Sequence, residues 1–198
     1  MASCTSPGKR TAVGAGIGVG AGAIIGGIIG SQTGNAGQGA LIGAALGGGI
    51  GTFVGNRMDK QAKELERLAE VRRTEEGLVA RLKSDILFDT NSAELKSASS
   101  NNITQIAQIL KKYPENQITV VGHTDNKGSD SHNVSLSQKR AASVATRIIA
   151  SGVPASYVTQ EGMGKSQPIA DNQSEAGRSR NRRVELVITV EPSRVPKG

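Results

Sequence analysis

The sequence predicts an α/β two-layer sandwich, with helices packed on one sheet, preceded by a glycine-zipper helical hairpin. Three observations lead there. Glycine recurs every fourth residue through an early stretch without charge, apolar residues fall at helical spacing in two later stretches, and β-branched apolar runs separate and follow those stretches.

The first element is the uncharged stretch 14–55, bounded by Lys9-Arg10 on one side and Arg57 on the other. Gly14, Gly18, Gly22, Gly26 and Gly30 form one set, and Gly39, Gly43, Gly47, Gly51 and Gly55 a second. Helical spacing places each set on one face, where missing side chains let two backbones approach closely. Ser31 to Gln38, with Gly34, Asn35 and Gly37, supplies a polar turn between the arms. An arm of roughly 18–20 residues rises roughly 27–30 Å as a helix, about the thickness of a bilayer's hydrocarbon core. A flexible linker is the competing reading, but linkers are polar, whereas this stretch carries Ile24-Ile25, Ile28-Ile29, Leu41-Ile42 and Phe53-Val54.

Residues 1–13 precede the hairpin as a tether, and residues 56–76 follow it as a charged helical connector. Helix is expected from Asn56 to Arg73, with Leu65, Leu68 and Ala69 as a narrow apolar stripe. The mixed domain spans 77–191, leaving 192–198 as a tail. Its first strand is expected at Gly77 to Leu82, where apolar and other residues alternate. Ile103, Ile106, Ala107 and Leu110 mark an amphipathic helix that must end near Tyr113, because Pro114 follows. Ile118 to Gly122 reads as a buried strand, and Asn133 to Ser151 as a second helix with Ala141, Val144, Ala145, Ile148 and Ile149 inward. Tyr157 to Glu161 is a short strand, Ser174 to Asn181 a last helix, and Val184, Leu186, Ile188 and Val190 line one face of a final strand. Interleaved helices and strands of this kind make a small α/β sandwich.

Composition narrows the function. At 198 residues and 36% hydrophobic, the chain holds one domain with a core plus an extra segment. A formal charge of +7 suits an anionic partner, yet the cations beyond residue 56 are interleaved with acids, as on a solvated surface. Aromatics are 2% of residues and Trp is absent, so no nucleic-acid partner is expected. No catalytic constellation stands out, and His123 and His132 are the only histidines, so neither an enzyme, a metal site nor a cofactor is expected. His123 is expected to make a local hydrogen bond at a strand end.

A single cysteine cannot form an internal disulfide. Ala2-Ser3-Cys4 matches the small-small-Cys end of a bacterial lipoprotein cleavage site, which makes Cys4 the expected lipidation position. Met1 then reads as an initiator standing in place of an export signal. Thr5, where such lipoproteins carry Asp for inner-membrane retention, implies the outer membrane.

Two residues carry the binding chemistry. Asp125 sits where the strand ending at Gly122-His123 meets a loop, and it either folds that turn through an Asx hydrogen bond or presents its carboxylate to a ligand. Arg140 lies four residues after Leu136 and four before Val144, on a partly inward helix face. It either pairs with a carboxylate of the domain or grips a ligand carboxylate. Together they would suit a zwitterion, with Arg182 and Arg183 completing its anionic end.

Ile86-Leu87-Phe88-Asp89, Gly122-His123-Thr124-Asp125, Leu136-Ser137-Gln138-Lys139-Arg140-Ala141, Pro168-Ile169-Ala170 and Asn181-Arg182-Arg183-Val184-Glu185 follow one another across residues 77–191. In this order they resemble the successive signatures of the OmpA C-terminal family. The resemblance implies an OmpA-C-like sandwich with a mixed sheet, and a site in which Asp125 and Arg140 hold the two ends of diaminopimelate. Phe88, Asp89, Thr124, Asn126, the Val134 to Leu136 backbone, Asn181, Arg182 and Arg183 would line the same groove. The glycine zipper before such a domain is similar to outer-membrane lipoproteins of the YiaD type. The expected partners are therefore peptidoglycan, bound without covalent linkage, and the outer membrane, held by lipid and hairpin. The alternative is a homo-oligomer assembled through the zipper, as a pore or as part of a secretion or motility complex.

Overall fold

The computed structural model describes residues 48–74 and 77–196. Cys4 and most of the expected hairpin lie outside them. A helix α1 (Gly48–Leu65) leads into a short strand β1 (Glu70–Arg73) and then β2 (Gly77–Lys83). One helical turn, α2 (Ser84–Leu87), and α3 (Ser97–Leu110) follow. After β3 (Asn116–His123) come α4 (Asp130–Ala150), β4 (Val158–Gly162), α5 (Glu175–Asn181) and β5 (Arg183–Val190). Among the described residues no helix is long and apolar enough to cross a membrane.

The five strands form one mixed sheet in the order β1-β2-β5-β3-β4, antiparallel except for the parallel β3–β4 pair that α4 connects. The β-branched run Ile118–Val121 and the Val184–Val190 alternation therefore become the central strands, as their composition predicts. Leu78, Ala80 and Leu82 of β2, Ile118 and Val120 of β3, and Val184, Leu186 and Ile188 of β5 point to one face. There they meet Ile103, Ile106, Ala107 and Leu110 of α3 and Ala141, Val144, Ala145 and Ile148 of α4. This is the expected two-layer sandwich, but Ile149 is partly exposed rather than inward.

The connector differs from expectation. Helix stops at Leu65, and Glu70–Arg73 pairs with Arg81–Leu78 as an edge strand. Val54, Met58 and Leu65 of α1 are buried in the same core as α3 and α4. Arg57 binds Glu115 through both Nε and Nη2, and Lys112 reaches Glu64 at 2.7 Å, fastening the helix to the α3–β3 turn. The segment read as a spacer is thus part of the domain.

Two glycines set how closely α4 rides on the sheet. A Cβ at Gly122 would fall on the Ser137 carbonyl, and one at Gly162 would lie 2.7 Å from Gln138 Cα. Both strand ends beside the helix therefore need the missing side chain.

Candidate functional site

The C-terminal end of β3 and the flank of α4 frame a cleft of about 650 Å³. Thr124 leaves the strand with its N–H donating to Gly164 O at 2.9 Å, and Ser129 caps α4 by accepting from His132 N. Between them Asp125 folds the turn, the first of its two expected roles, and stands at the cleft wall. Its Oδ1 accepts the Lys127 N–H at 3.0 Å, an Asx turn, while its carboxylate also lines the cleft. Its Oδ2 accepts from Arg182 Nη1 at 2.8 Å.

Arg140 enters from α4, with only 5% of its surface exposed. Among the described residues no carboxylate pairs with it. Its Nε donates to Ser92 O at 2.9 Å, its Nη2 reaches Asp89 O at 3.5 Å, and its guanidinium lies 5.1 Å from the Phe88 ring centroid. One turn further along, Ser143 Oγ donates to Ala93 O at 2.6 Å, so α4 pins the whole 89–93 loop. Backbone carbonyls thus take Nε and one hydrogen of Nη2, and among the described residues Nη1 and the second Nη2 hydrogen meet no partner. Burial lowers the Arg140 pKa, with the nearby Asp85 carboxylate opposing that shift, and a guanidinium so placed keeps its charge. A charged, nearly buried group with neutral hydrogen-bond partners is poised for an anion.

Of the residues expected in the groove, Phe88, Asp89, Thr124, Asp125, Leu136, Arg140 and Arg182 line this cleft together. Three do not. Asn126 is exposed and hydrogen-bonds through its N–H to Asn172. Asn181 is fully buried, its Oδ1 accepting from Ile169 N and Ala170 N and its Nδ2 donating to Ala170 O. A buried amide must satisfy all of its polar atoms, so it serves as a clamp on the 169–172 loop. Arg183 points to the opposite side of the sheet, where its Nε donates to Glu185 at 2.8 Å. Val134, expected to contribute backbone, is half exposed at the helix start.

Arg182 also takes a place different from the expected one. It does not extend the anionic end beside Arg140 but binds Asp85 through Nε and Nη2, Asp125 through Nη1 and Glu175 through Nη2, each at 2.8–2.9 Å. Hydrogen bonds from Arg182 hold the Asp85 carboxyl below its ordinary range despite burial, which opposes the shift. Asp85 and Glu175 were not legible as site residues. Asp85 immediately precedes the Ile86–Asp89 signature, and Glu175 reads only as a first-turn acid of α5. Lys96, paired with Asp89 at 3.1 Å, and Lys127 bring further positive charge to the cleft. Four carboxylates and four cations line it, a balance suited to a zwitterion more than to a simple ion.

Behind the cleft, His123 is 1% exposed, and neither of its nitrogens has a hydrogen-bond partner among the described residues, contrary to the expected local bond. The nearest acid is Glu185, with Nε2 3.8 Å from its Oε2. Burial, reinforced by Arg183, pushes the imidazole pKa down to about 3.

These features define a charged cleft on a small α/β domain, and comparison with known proteins gives its class. The OmpA family matches residues 87–182, and a glycine-zipper family matches residues 17–62. The chain is similar to the probable lipoprotein YiaD of Escherichia coli, 40% identical over 119 residues, covering 60% of this chain and 54% of that protein. It is also similar to the outer-membrane lipoprotein YfiB of Pseudomonas aeruginosa, 39% identical over 59% of this chain and 70% of that one. Among solved structures, the cell wall anchor of the T6SS from Pseudomonas aeruginosa superposes with a TM-score of 0.58 at 31% identity, over 72% of this chain and 97% of that one. The chain belongs to the OmpA family. Within the family it carries the glycine zipper and is similar to lipoproteins, spanning about half the length of YiaD.

Proposed function

We propose that this chain holds an outer membrane to the cell wall, its cleft taking the zwitterionic end of diaminopimelate in the peptidoglycan stem peptide. Asp125 accepts hydrogen bonds from the ligand ammonium, and the Nη1–Nη2 end of Arg140 takes the ligand carboxylate in a forked pair. Phe88 backs the guanidinium, and Thr124, Leu136 and Asp89 wall the groove. Lipid on Cys4 and the glycine hairpin hold the other end of the chain in the membrane.

The observation that carries this reading is Arg140: a nearly buried guanidinium whose hydrogen bonds among the described residues go to carbonyls, in a cleft that also holds Asp125. The family and the lipoprotein relatives support the same direction. The binding is not catalytic, and it needs only moderate affinity, because tethering keeps both partners at high local concentration. Co-sedimentation with purified diaminopimelate-type sacculi tests it. Wild type is expected in the pellet and Arg140→Ala in the supernatant; equal pelleting of both would overturn the assignment of the site.

The zipper match over residues 17–62 favours a second reading, in which self-association of the hairpin builds a larger envelope assembly that the domain positions on the wall. Crosslinked oligomers that survive deletion of the C-terminal domain would support it.

A further inference from the structure

Arg182 stands against three carboxylates. Its Nη1 meets Asp125 at 2.8 Å, its Nη2 meets both Asp85 and Glu175 at 2.8 Å, and its Nε meets Asp85 at 2.9 Å. Were Asp125 its only partner, the pair would carry no net charge, and an incoming ammonium would find no attraction there. With Asp85 and Glu175 present, and with Glu175 also paired to Arg178 at 2.8 Å, the three carboxylates outnumber the two guanidiniums and one negative charge remains in excess.

The geometry leaves room for that excess to act. Asp125 receives one hydrogen bond on each oxygen, from Lys127 N on Oδ1 and from Arg182 on Oδ2. A carboxylate oxygen accepts about two, so an ammonium can join without displacing Arg182. Asp85 is itself held in place by Ser179 Oγ, which donates to it at 2.9 Å. Burial of the Asp125 side chain within the cleft strengthens its coupling to whatever charge surrounds it.

We infer that Asp85 and Glu175 are specificity-determining residues: by absorbing the positive charge of Arg182 they free Asp125 to select a ligand bearing an unmodified, charged amine. The inference rests on the reading of the cleft as a zwitterion site. It assigns the selectivity for the amine to a three-carboxylate cluster assembled from α2, the end of β3 and the start of α5, rather than to Asp125 alone. Arg182 acts here as a positioning residue, bringing the three acids together while cancelling only part of their charge.

The test compares two peptides on the full chain: a diaminopimelate-containing stem peptide, and the same peptide with the distal amine acetylated. Wild type is expected to prefer the free amine. Glu175→Gln and Asp85→Asn are each expected to reduce that preference about two- to fivefold at low salt, and the double variant to reduce it further. The deficit of each variant for the free-amine peptide should shrink as salt is raised, because the exposed Glu175 charge is screened. A merely structural role would weaken both peptides alike and leave the ratio where it was. Unchanged ratios in both single variants overturn this inference while the zwitterion reading stands, provided Asp125→Asn abolishes the preference. Absence of any preference in folded wild type overturns both.

Discussion

Adding one methyl group at Gly122 should disturb fold and site together. The strand end at Gly122 touches the backbone of α4: a Cβ there would fall on the Ser137 carbonyl oxygen, 2.9 Å from the Ser137 carbonyl carbon and 3.2 Å from Ser137 Cα. Carbon atoms pack at about 3.5–4.0 Å, so relief demands that the helix lift by roughly 1 Å. The obstacle is main chain, which cannot rotate away as a side chain would. Overpacking of this kind costs about 1–3 kcal/mol, and the rigid contact puts Gly122→Ala at the upper end. Arg140 follows Ser137 by three residues on α4, while Asp125 follows Gly122 by three on β3 and its loop. The same displacement therefore separates the two ends of the cleft, and binding constellations tolerate only about 0.5 Å. Urea unfolding should show a loss of about 2–3 kcal/mol, and titration with a diaminopimelate peptide a loss of about tenfold or more in affinity. Gly162→Ala, where the added carbon would lie 2.8 Å from Ser137 Oγ, should act in the same direction. A Gly122→Ala protein with unchanged midpoint and unchanged affinity would refute the close packing of α4 on β3.

Other consequences follow from the same structure. His123 takes up no proton in the folded chain until about pH 3, whereas its unfolded counterpart titrates near 6.5. Its contribution to stability is therefore complete above about 6.5 and is lost as pH falls from there towards 3, with a slope of up to about 1.4 kcal/mol per pH unit. His123→Gln should flatten the acid limb of stability measured by urea unfolding at pH 4 and 7; an unchanged difference between those pH values would contradict burial of the neutral imidazole. Arg140→Lys keeps the charge but loses the Nε bond to Ser92 O, so stability should drop by about 1.5–3 kcal/mol and peptide affinity by about tenfold. Calorimetry and thermal unfolding of one preparation read both. Leu65→Ala should cost about 2–5 kcal/mol, because Leu65 is fully buried in the shared core, and a chain beginning at residue 75 should unfold at a lower urea concentration. Equal midpoints would return α1 to the role of a mere spacer.

The central strands and the two long helices were legible because their patterns are long enough to be unambiguous. Ile103, Ile106, Ala107 and Leu110 on α3 keep helical spacing, and the β-branched run of β3 has no competing helical register. The edge strand β1 was not legible. Glu-Val-Arg-Arg is four residues, three of them charged, directly after a charged helix, and only pairing with β2 makes it a strand. The core face of α1 escaped for a different reason. Val54 lies before the compositional boundary and Met58 and Leu65 after it, so a division by composition cut the apolar stripe in two.

The site divides along similar lines. Asp125 and Arg140 were readable because one sits at a strand end and the other on an inward helix face, and both positions are local properties of the sequence. Arg182 and Arg183 are neighbours with opposite fates. Arg183 shares parity with Glu185 in β5 and so faces away from the helices, a signal present in the alternation of the last strand. Asp85 joins Arg182 across a separation of 97 residues, and Glu175 lies seven residues before it. No periodicity or turn motif announces such an encounter; the sheet register that sets Lys83 opposite Arg183 creates it.

The central claim is that one cleft binds diaminopimelate through Asp125 and Arg140, and calorimetric titration of the full chain with a diaminopimelate-containing muropeptide tests it most directly. The account predicts saturable one-site binding by wild type, abolished in Asp125→Ala and Arg140→Ala variants that unfold cooperatively. No heat of binding from folded wild type, or undiminished binding by both variants, would contradict it.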